Sequence, residues 1–246
     1  MPTKFTLVIP TYNEAPIIGE TLTEVVQVFQ KHCQGPWTIV VADNASTDGT
    51  ADIVRALNDP HTKVLCIKEK GRGRALRAAF AAAGEGIVAF TDADLPIEPI
   101  NVLRGLEMIR NGECEIVVGT RVQSSRGSKR SFTRRLTSRA FQLLSRTIVG
   151  IHSSDSQCPL RVMNERVRPI MLATVDPTWW CELEFLVMAE KLNISIKELS
   201  VVWNEDRYPH RKSTIMVAHE SLRAIRAMLK MRSYLKPIMV SLRKEL

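Results

Sequence analysis

At 246 residues the chain suits one large domain, or one domain with a C-terminal appendage, and is long enough for a substantial core. Hydrophobic residues make up 45% and charged residues 24%, a composition ordinary for a folded soluble protein and foreign to a disordered one. The formal net charge of +8 points to an anionic partner: a nucleic acid, a membrane surface or a phosphorylated substrate. Five cysteines (Cys33, Cys66, Cys114, Cys158 and Cys181) are widely spread and form no C-x-x-C pair. That argues against a disulfide framework or a zinc site and for a reduced, cytoplasmic setting. The chain runs directly into an apolar strand, and no stretch approaches the ~20 apolar residues of a membrane span. Neither a secretory leader nor an integral membrane segment is expected.

The first half alternates strands and helices. The pattern predicts strands over Phe5–Ile9, Thr38–Ala42, Lys63–Ile67, Ile87–Thr91 and Glu115–Gly119, with helices near 15–32, 48–58, 72–83 and 98–110. Units of this kind build a parallel sheet covered on both faces, so a Rossmann-like α/β fold is expected. In such sheets ligands bind outside the carboxyl ends of the strands. Each strand end therefore matters.

Strand one runs into Pro10-Thr-Tyr12-Asn13-Glu14. Proline there is expected to stop the ladder, leaving a ring for a base and an amide and carboxylate for ribose hydroxyls. The competing reading is structural, with Asn13 as an N-cap and Glu14 in a first helical turn. Strand two ends at Asp43, placed to accept a base N–H, whereas Asp48 or Ser46 reads as a helix cap. After strand three, Gly71 and Gly73 with cationic neighbours suggest backbone N–H groups open to phosphate. The strand at 87–91 ends in Asp92-Ala93-Asp94. Two carboxylates one residue apart can hold a hard divalent cation, Mg²⁺ or Mn²⁺, that shares water and phosphate oxygens. A strand-end turn is the plainer alternative.

Residues 121–146 carry eight Arg and Lys and no acid. A helical pattern over Ser131–Thr147 puts Arg134 and Ser138 on one face, where they could hold a lipid phosphate; a solvated basic face is the alternative. From 213 to 246 apolar positions again fall near helical spacing among arginines and lysines. Pro237 is expected to interrupt this pattern. Basic amphipathic helices there read as a peripheral membrane anchor, or, for Ile215–Leu229, as a helix packed on the main domain.

The segments V-I-P-T-Y-N-E, V-A-D-N-A-S-T-D-G-T, K-G-R-G-R-A, T-D-A-D-L and V-G-T-R, in this order, together resemble the inverting family 2 glycosyltransferases of GT-A fold. Asp155-Ser-Gln-Cys158-Pro-Leu-Arg161 and Trp179-Trp-Cys-Glu182-Leu-Glu184 resemble the dolichyl-phosphate glucosyltransferases and their bacterial relatives; D-A-D-L is shared with the mannosyl enzymes. The resemblance implies a GT-A domain over 1–212, followed by the helical segment 213–246. It implies that Pro10, Tyr12, Glu14, Val41 and Asp43 hold the nucleoside. Asp92, Ala93 and Asp94 would surround ribose, diphosphate and metal, with Asp94 as the direct ligand. Arg121 would lie near the phosphates, and Arg207 with Lys212 on a loop closing over the donor. That loop contains Pro209-His210 in place of glycine, which leaves Arg211 as an alternative to Lys212.

The implied reaction is inverting transfer of a hexose, from UDP-glucose first and GDP-mannose second, to a polyprenyl or dolichyl phosphate at the cytoplasmic membrane face. A phosphate acceptor is already an anionic nucleophile and needs no base. A hydroxyl acceptor, soluble or on a glycan, is the alternative. It would need one, and Glu182 is the candidate, against its reading as a solvated or capping carboxylate opening a helix at 181–191. Nucleic acid is not expected, since the basic stretches lack interleaved aromatics and binding motifs.

Overall fold

The computed structural model describes residues 3–122, 142–204 and 217–245. Strands β1 (Phe5–Thr11), β2 (Trp37–Asn44), β3 (Thr62–Ile67) and β4 (Ile87–Phe90) alternate with helices α1 (Ile18–His32), α2 (Thr50–Ala56) and α3 (Arg72–Ala82). Helix α4 (Ile100–Arg110) leads into β5 (Ile116–Val122). A helix over 142–149, here α5, follows. Then come β6 (Arg161–Met163), α6 (Arg168–Leu172), α7 (Cys181–Lys191), β7 (Ile196–Val202) and α8 (Val217–Glu245). The seven strands form one sheet in the order β3-β2-β1-β4-β6-β5-β7, parallel except for β6, which runs antiparallel to both neighbours. This is the mostly parallel, helix-flanked α/β sheet expected.

Near-continuous apolar strands follow from burial of both faces. Along β1, Phe5, Leu7 and Ile9 face the core under α1 and α4, while Val8 faces the opposite core under α3. Ile18, Leu22, Val25 and Phe29 of α1 fall at helical spacing and are buried. Each such side chain contributes about 1.5–3 kcal/mol on burial. The chain direction changes side between β1 and β4, and the carboxyl ends of those strands define the switch-point crevice.

Two expectations, on Pro10 and Pro237, are corrected, and one strand is added. Pro10 does not stop the ladder, because β1 continues to Thr11 with Pro10 opposite Ala42. Residues two apart point their N–H groups the same way, and Val8 already faces β4; at Pro10, β4 has ended, so no donor is missing there. Secondly, β6 is an added antiparallel strand of three residues, too short to show a period. Finally, Pro237 lies inside α8 without ending it. Ala224, Met228, Met231, Leu235 and Leu242 are all buried in the same core as α7, on both sides of the exposed proline. Packing of that seam outweighs the lost hydrogen bond. One helix therefore replaces the interrupted pattern. The last twenty residues turn Leu235 and Leu242 into the protein, with Arg232, Lys236, Arg243 and Lys244 outward.

Candidate active site

Strand ends β1, β2, β4 and β5 deliver Thr11–Glu14, Asp43, Asp92–Asp94 and Arg121 to one edge of the sheet. Alternation after β4 sends Ala93 and Leu95 into the core and leaves Asp92 and Asp94 half-buried on the open side. The loop is tied down. Thr21 of α1 donates to the Ala93 carbonyl at 2.6 Å, and the Asn204 N–H donates to Pro96 O at 2.9 Å. Asn13, Ala45 and Leu95, just past β1, β2 and β4, have φ of 55°, 58° and 40°. Left-handed backbone at Ala and Leu costs on the order of 1–3 kcal/mol each and persists where surrounding structure enforces it. Strain thus gathers at this edge.

The same edge holds buried polar oxygens without a hydrogen-bond partner: Thr11 Oγ1, Asp43 Oδ1 and Thr91 Oγ1. Thr11 and Asp43 are paired in register across β1 and β2. A buried acceptor left unmade is costly, so these groups fit a ligand offering N–H and O–H groups. Asp43 Oδ2 receives only a long contact from Ser46 N, at 3.4 Å. Two hard carboxylates on the open side of the adjoining loop fit a divalent cation that completes its shell with water and phosphate.

Arg72 dominates the electrostatics. It is buried at the start of α3, with Nη2 2.6 Å from Asp92 Oδ1 and Nε donating to Glu182 Oε1 at 2.6 Å. The Asp92 contact is a charge contact rather than an aligned hydrogen bond. Burial lowers the pKa of Arg72, but the Asp92 and Glu182 charges outweigh it and hold the guanidinium charged, above its ordinary range. The Trp179 ring covers the guanidinium at 4.5 Å. Glu182 is therefore neither solvated nor capping: it is buried and ion-paired. This carboxylate–arginine–carboxylate bridge joins residues 110 apart in sequence.

The glycines beside Arg72 serve close approach. Gly71 N–H donates to Asn44 Oδ1 at 2.6 Å and Gly73 N–H to Pro177 O at 3.0 Å. A Cβ would lie 2.4 Å from Pro177 O at Gly71 and 2.2 Å from Asp176 O at Gly73. The expected phosphate cradle at Gly71 is corrected accordingly, since its N–H groups hold the 174–180 loop and β2. Buried Glu184 secures that loop from the other side, accepting from the N–H groups of Val175 and Asp176 at 2.8 and 2.9 Å. Burial raises the Glu184 pKa despite these bonds, and Tyr234 of α8 bonds to it. The Tyr234 hydroxyl is itself raised by burial and by the neighbouring carboxylate.

Other candidates have structural partners. Asn13 does not cap α1, which begins at Ile18 without a side-chain cap. Instead Asn13 Oδ1 accepts from Thr47 N and Asn13 N donates to Ser46 Oγ, both at 2.9 Å, lacing the β1 and β2 loops together. Glu14 is buried, and its N–H donates to Thr50 Oγ1. Asp48 accepts from Ala15 N and Thr50 N; burial raises its pKa, but these bonds and that of the Thr50 hydroxyl leave it lowered. Tyr12 is exposed at the rim with Lys70 Nζ 3.6 Å over its ring. Pro10 and Val41 are buried in the sheet, so Val41 presents no surface to a ligand and shapes the strand only. Arg121 is gripped by Asp155 through Nε and Nη2 at 2.6 and 2.7 Å, with its guanidinium 4.9 Å over Trp203. Fully buried Arg161 donates to the carbonyls of Ser156, Cys158 and Leu160 and so shapes the loop that carries Asp155. Arg134, Ser138, Arg207 and Lys212 lie outside the described residues.

A model of the family described as "Glycosyl transferase family 2" matches residues 6–167, which contain every strand end named above except that of β7. The chain belongs to glycosyl transferase family 2. Among its relatives is a dolichyl-phosphate beta-glucosyltransferase of Trichomonas vaginalis, 27% identical over 213 residues, covering 80% of this chain and 65% of that protein. An undecaprenyl-phosphate 4-deoxy-4-formamido-L-arabinose transferase of Pectobacterium carotovorum is 30% identical over 174 residues, covering 68% and 50%. The chain thus spans about half to two thirds of the length of these relatives. Glucosyl-3-phosphoglycerate synthase of Mycobacterium tuberculosis, solved with UDP, superposes with a TM-score of 0.70 at 19% identity, covering 94% of this chain and 80% of that one. The same enzyme with Mn²⁺, UDP and glucosyl-3-phosphoglycerate gives 0.68 at 18%, covering 94% and 78%. At such identity the likeness is one of fold.

Within this family 2 site, sequence reading missed Arg72 as an organising residue. The signal available was a motif arginine flanked by two glycines, read there as part of an anion cradle. Its carboxylate partners are distant in sequence, so only the fold brings them together.

Proposed function

We propose that the protein transfers a hexose, with inversion, from a nucleoside-diphosphate sugar to a polyprenyl phosphate at the cytoplasmic face of the membrane. UDP-glucose is the first donor and GDP-mannose the second. The observation that carries the reading is the convergence of Asp92 and Asp94 with the unpartnered acceptors Thr11 Oγ1, Asp43 Oδ1 and Thr91 Oγ1 at one switch-point crevice. Names of relatives that act on dolichyl and undecaprenyl phosphates support the acceptor class.

Asp43 and Thr11 accept N–H and O–H groups of the nucleoside. Asp92 and Asp94 hold Mg²⁺ or Mn²⁺, which when bound neutralises the leaving diphosphate. Arg72 fixes the Asp92 rotamer while Glu182 fixes Arg72. Arg121 contributes positive charge to the diphosphate, with its Nε–Nη2 edge held by Asp155. The acceptor phosphate attacks the anomeric carbon as an anion already, so the engagement of Glu182 with Arg72 removes no necessary base. Exposed Arg223, Arg226, Lys230, Arg232, Lys236, Arg243 and Lys244 along α8 contact anionic lipid headgroups, each contributing about 1 kcal/mol. No helix among the described residues is long and apolar enough to cross a membrane. The proposed contact through α8 is electrostatic.

The test is nucleoside-diphosphate release from UDP-glucose or GDP-mannose, with Mn²⁺ or Mg²⁺, with and without a polyprenyl phosphate, beside Asp94→Ala. Release requiring metal and lipid phosphate, and abolished in the variant, is expected. Release indifferent to lipid moves the acceptor to a hydroxyl; no release and no metal-dependent nucleotide binding overturns the reading.

A further inference from the structure

Among the described residues, Tyr12 and Trp179 are the exposed aromatic side chains, at 36% and 60%. Both stand at this crevice, and each has a cation over one face: Lys70 on Tyr12 and Arg72 on Trp179. An indole this exposed is held for a reason other than core packing. Its backbone is fixed on both sides. Upstream, Asp176 Oδ1 accepts from Thr178 N at 2.7 Å, Arg77 Nη1 donates to Asp176 O at 2.9 Å, and Glu184 binds the Asp176 N–H. Downstream, Trp180 O accepts from Glu184 N in the first turn of α7. With Arg72 against one face, the exposed area lies on the other face and the ring edge. Arg72 also touches Asp92, so the indole and the carboxylate pair share one arginine.

A nucleotide sugar carries two flat or near-flat units, one at each end of its diphosphate. Tyr12 stands beside Asp43 at the nucleoside end. A hexose offers a face of C–H groups between its hydroxyls, and a rigid, amphipathic ring is the matching surface. We infer that Trp179 is the platform on which the donor's hexose ring stacks, a specificity-determining contact for the sugar rather than the nucleotide. This rests on the transferase reading above. A pre-set ring loses little entropy on binding.

The experiment compares binding of UDP-glucose with UDP, and GDP-mannose with GDP, by calorimetry in excess Mn²⁺, for wild type, Trp179→Ala and Trp179→Phe. Expected in Trp179→Ala is a loss on the order of tenfold for the sugar nucleotide, with the bare nucleotide within about twofold; Trp179→Phe retains most of the affinity. Equal losses for sugar nucleotide and nucleotide overturn the platform and leave the transferase reading intact. So does an unchanged sugar-nucleotide affinity accompanied by lost binding to anionic vesicles, which makes the ring a membrane contact. Wild type that binds neither pair with metal dependence overturns the transferase reading itself, and the platform with it.

Discussion

Arg72→Met replaces the buried guanidinium by an uncharged side chain of similar length and leaves two carboxylates facing a cavity without a cation. Removing one partner of a buried ion pair costs about 3–5 kcal/mol, because the remaining charge stays desolvated. Glu182, with 8% of its side chain exposed, takes that penalty nearly in full; Asp92, at 25%, takes less because water reaches it. A net loss of about 4 kcal/mol follows, which in a protein of this size lowers the melting temperature by roughly 8–16 °C. Differential scanning calorimetry without nucleotide measures it. Adding Glu182→Gln to Arg72→Met should recover at least about 1 kcal/mol, since one of the stranded charges is gone and the two sites are in contact. Arg72→Lys should fall between, as an ammonium lacks the planar fork that spans both acids. A variant melting within about 2 °C of wild type would falsify the bridge as the organising interaction.

Other parts of the network make separate demands. Gly73→Ala should destabilise by about 2–3 kcal/mol in urea unfolding, because the added Cβ meets the Asp176 carbonyl at 2.2 Å and a backbone cannot swing aside; a loss under about 0.5 kcal/mol refutes the close packing. Glu184, raised above 4.5 by burial, holds its proton more tightly in the folded than in the unfolded state. Its contribution therefore falls as pH rises from about 4.5 through the raised folded value. Stability of wild type relative to Glu184→Gln should decline across that window and be flat below it; a relative stability that rises there rejects the assignment. Pro237→Ala should stabilise by at least about 1 kcal/mol, as it restores an N–H to an exposed helical position of α8; a loss of stability would mean that the proline ring has a packing role.

The alternating first half was legible because its central strands β1, β2 and β4 are buried on both faces and its longer helices show an apolar stripe. Both are local patterns. The elements that escaped are those whose stability comes from neighbours. Three residues of β6 form a strand only because β4 and β5 stand on either side, pairing Arg161 with Phe90 and Val118. Pro10 and Pro237 were read by their local tendency to break structure, and both sit where that tendency is harmless. At Pro10 the neighbouring strand has ended; around Pro237 the seam through Leu235 and Leu242 is already docked.

At the site, legibility divides along the same line. The carboxylates of β2 and β4 could be placed at the carboxyl edge from strand periodicity alone, because direction and strand end fix where a residue emerges. What each charged group does there could not, because that depends on partners separated by most of the chain. Arg72 meets Asp92 from the next strand loop and Glu182 from a helix 110 residues on; Arg121 meets Asp155 across 34. Motif reading treats such residues as hands held out to ligand, yet in the folded chain they first hold one another. The two roles are compatible. On the transferase reading, a carboxylate whose rotamer is fixed by arginine would need no reorganisation on binding cation and diphosphate, and preorganised charge is what makes electrostatic catalysis effective. It follows that variants in Glu182, though this residue need not carry a proton, should impair turnover through Arg72 and Asp92, and that the impairment should appear as weakened metal-dependent nucleotide binding as well as lost rate.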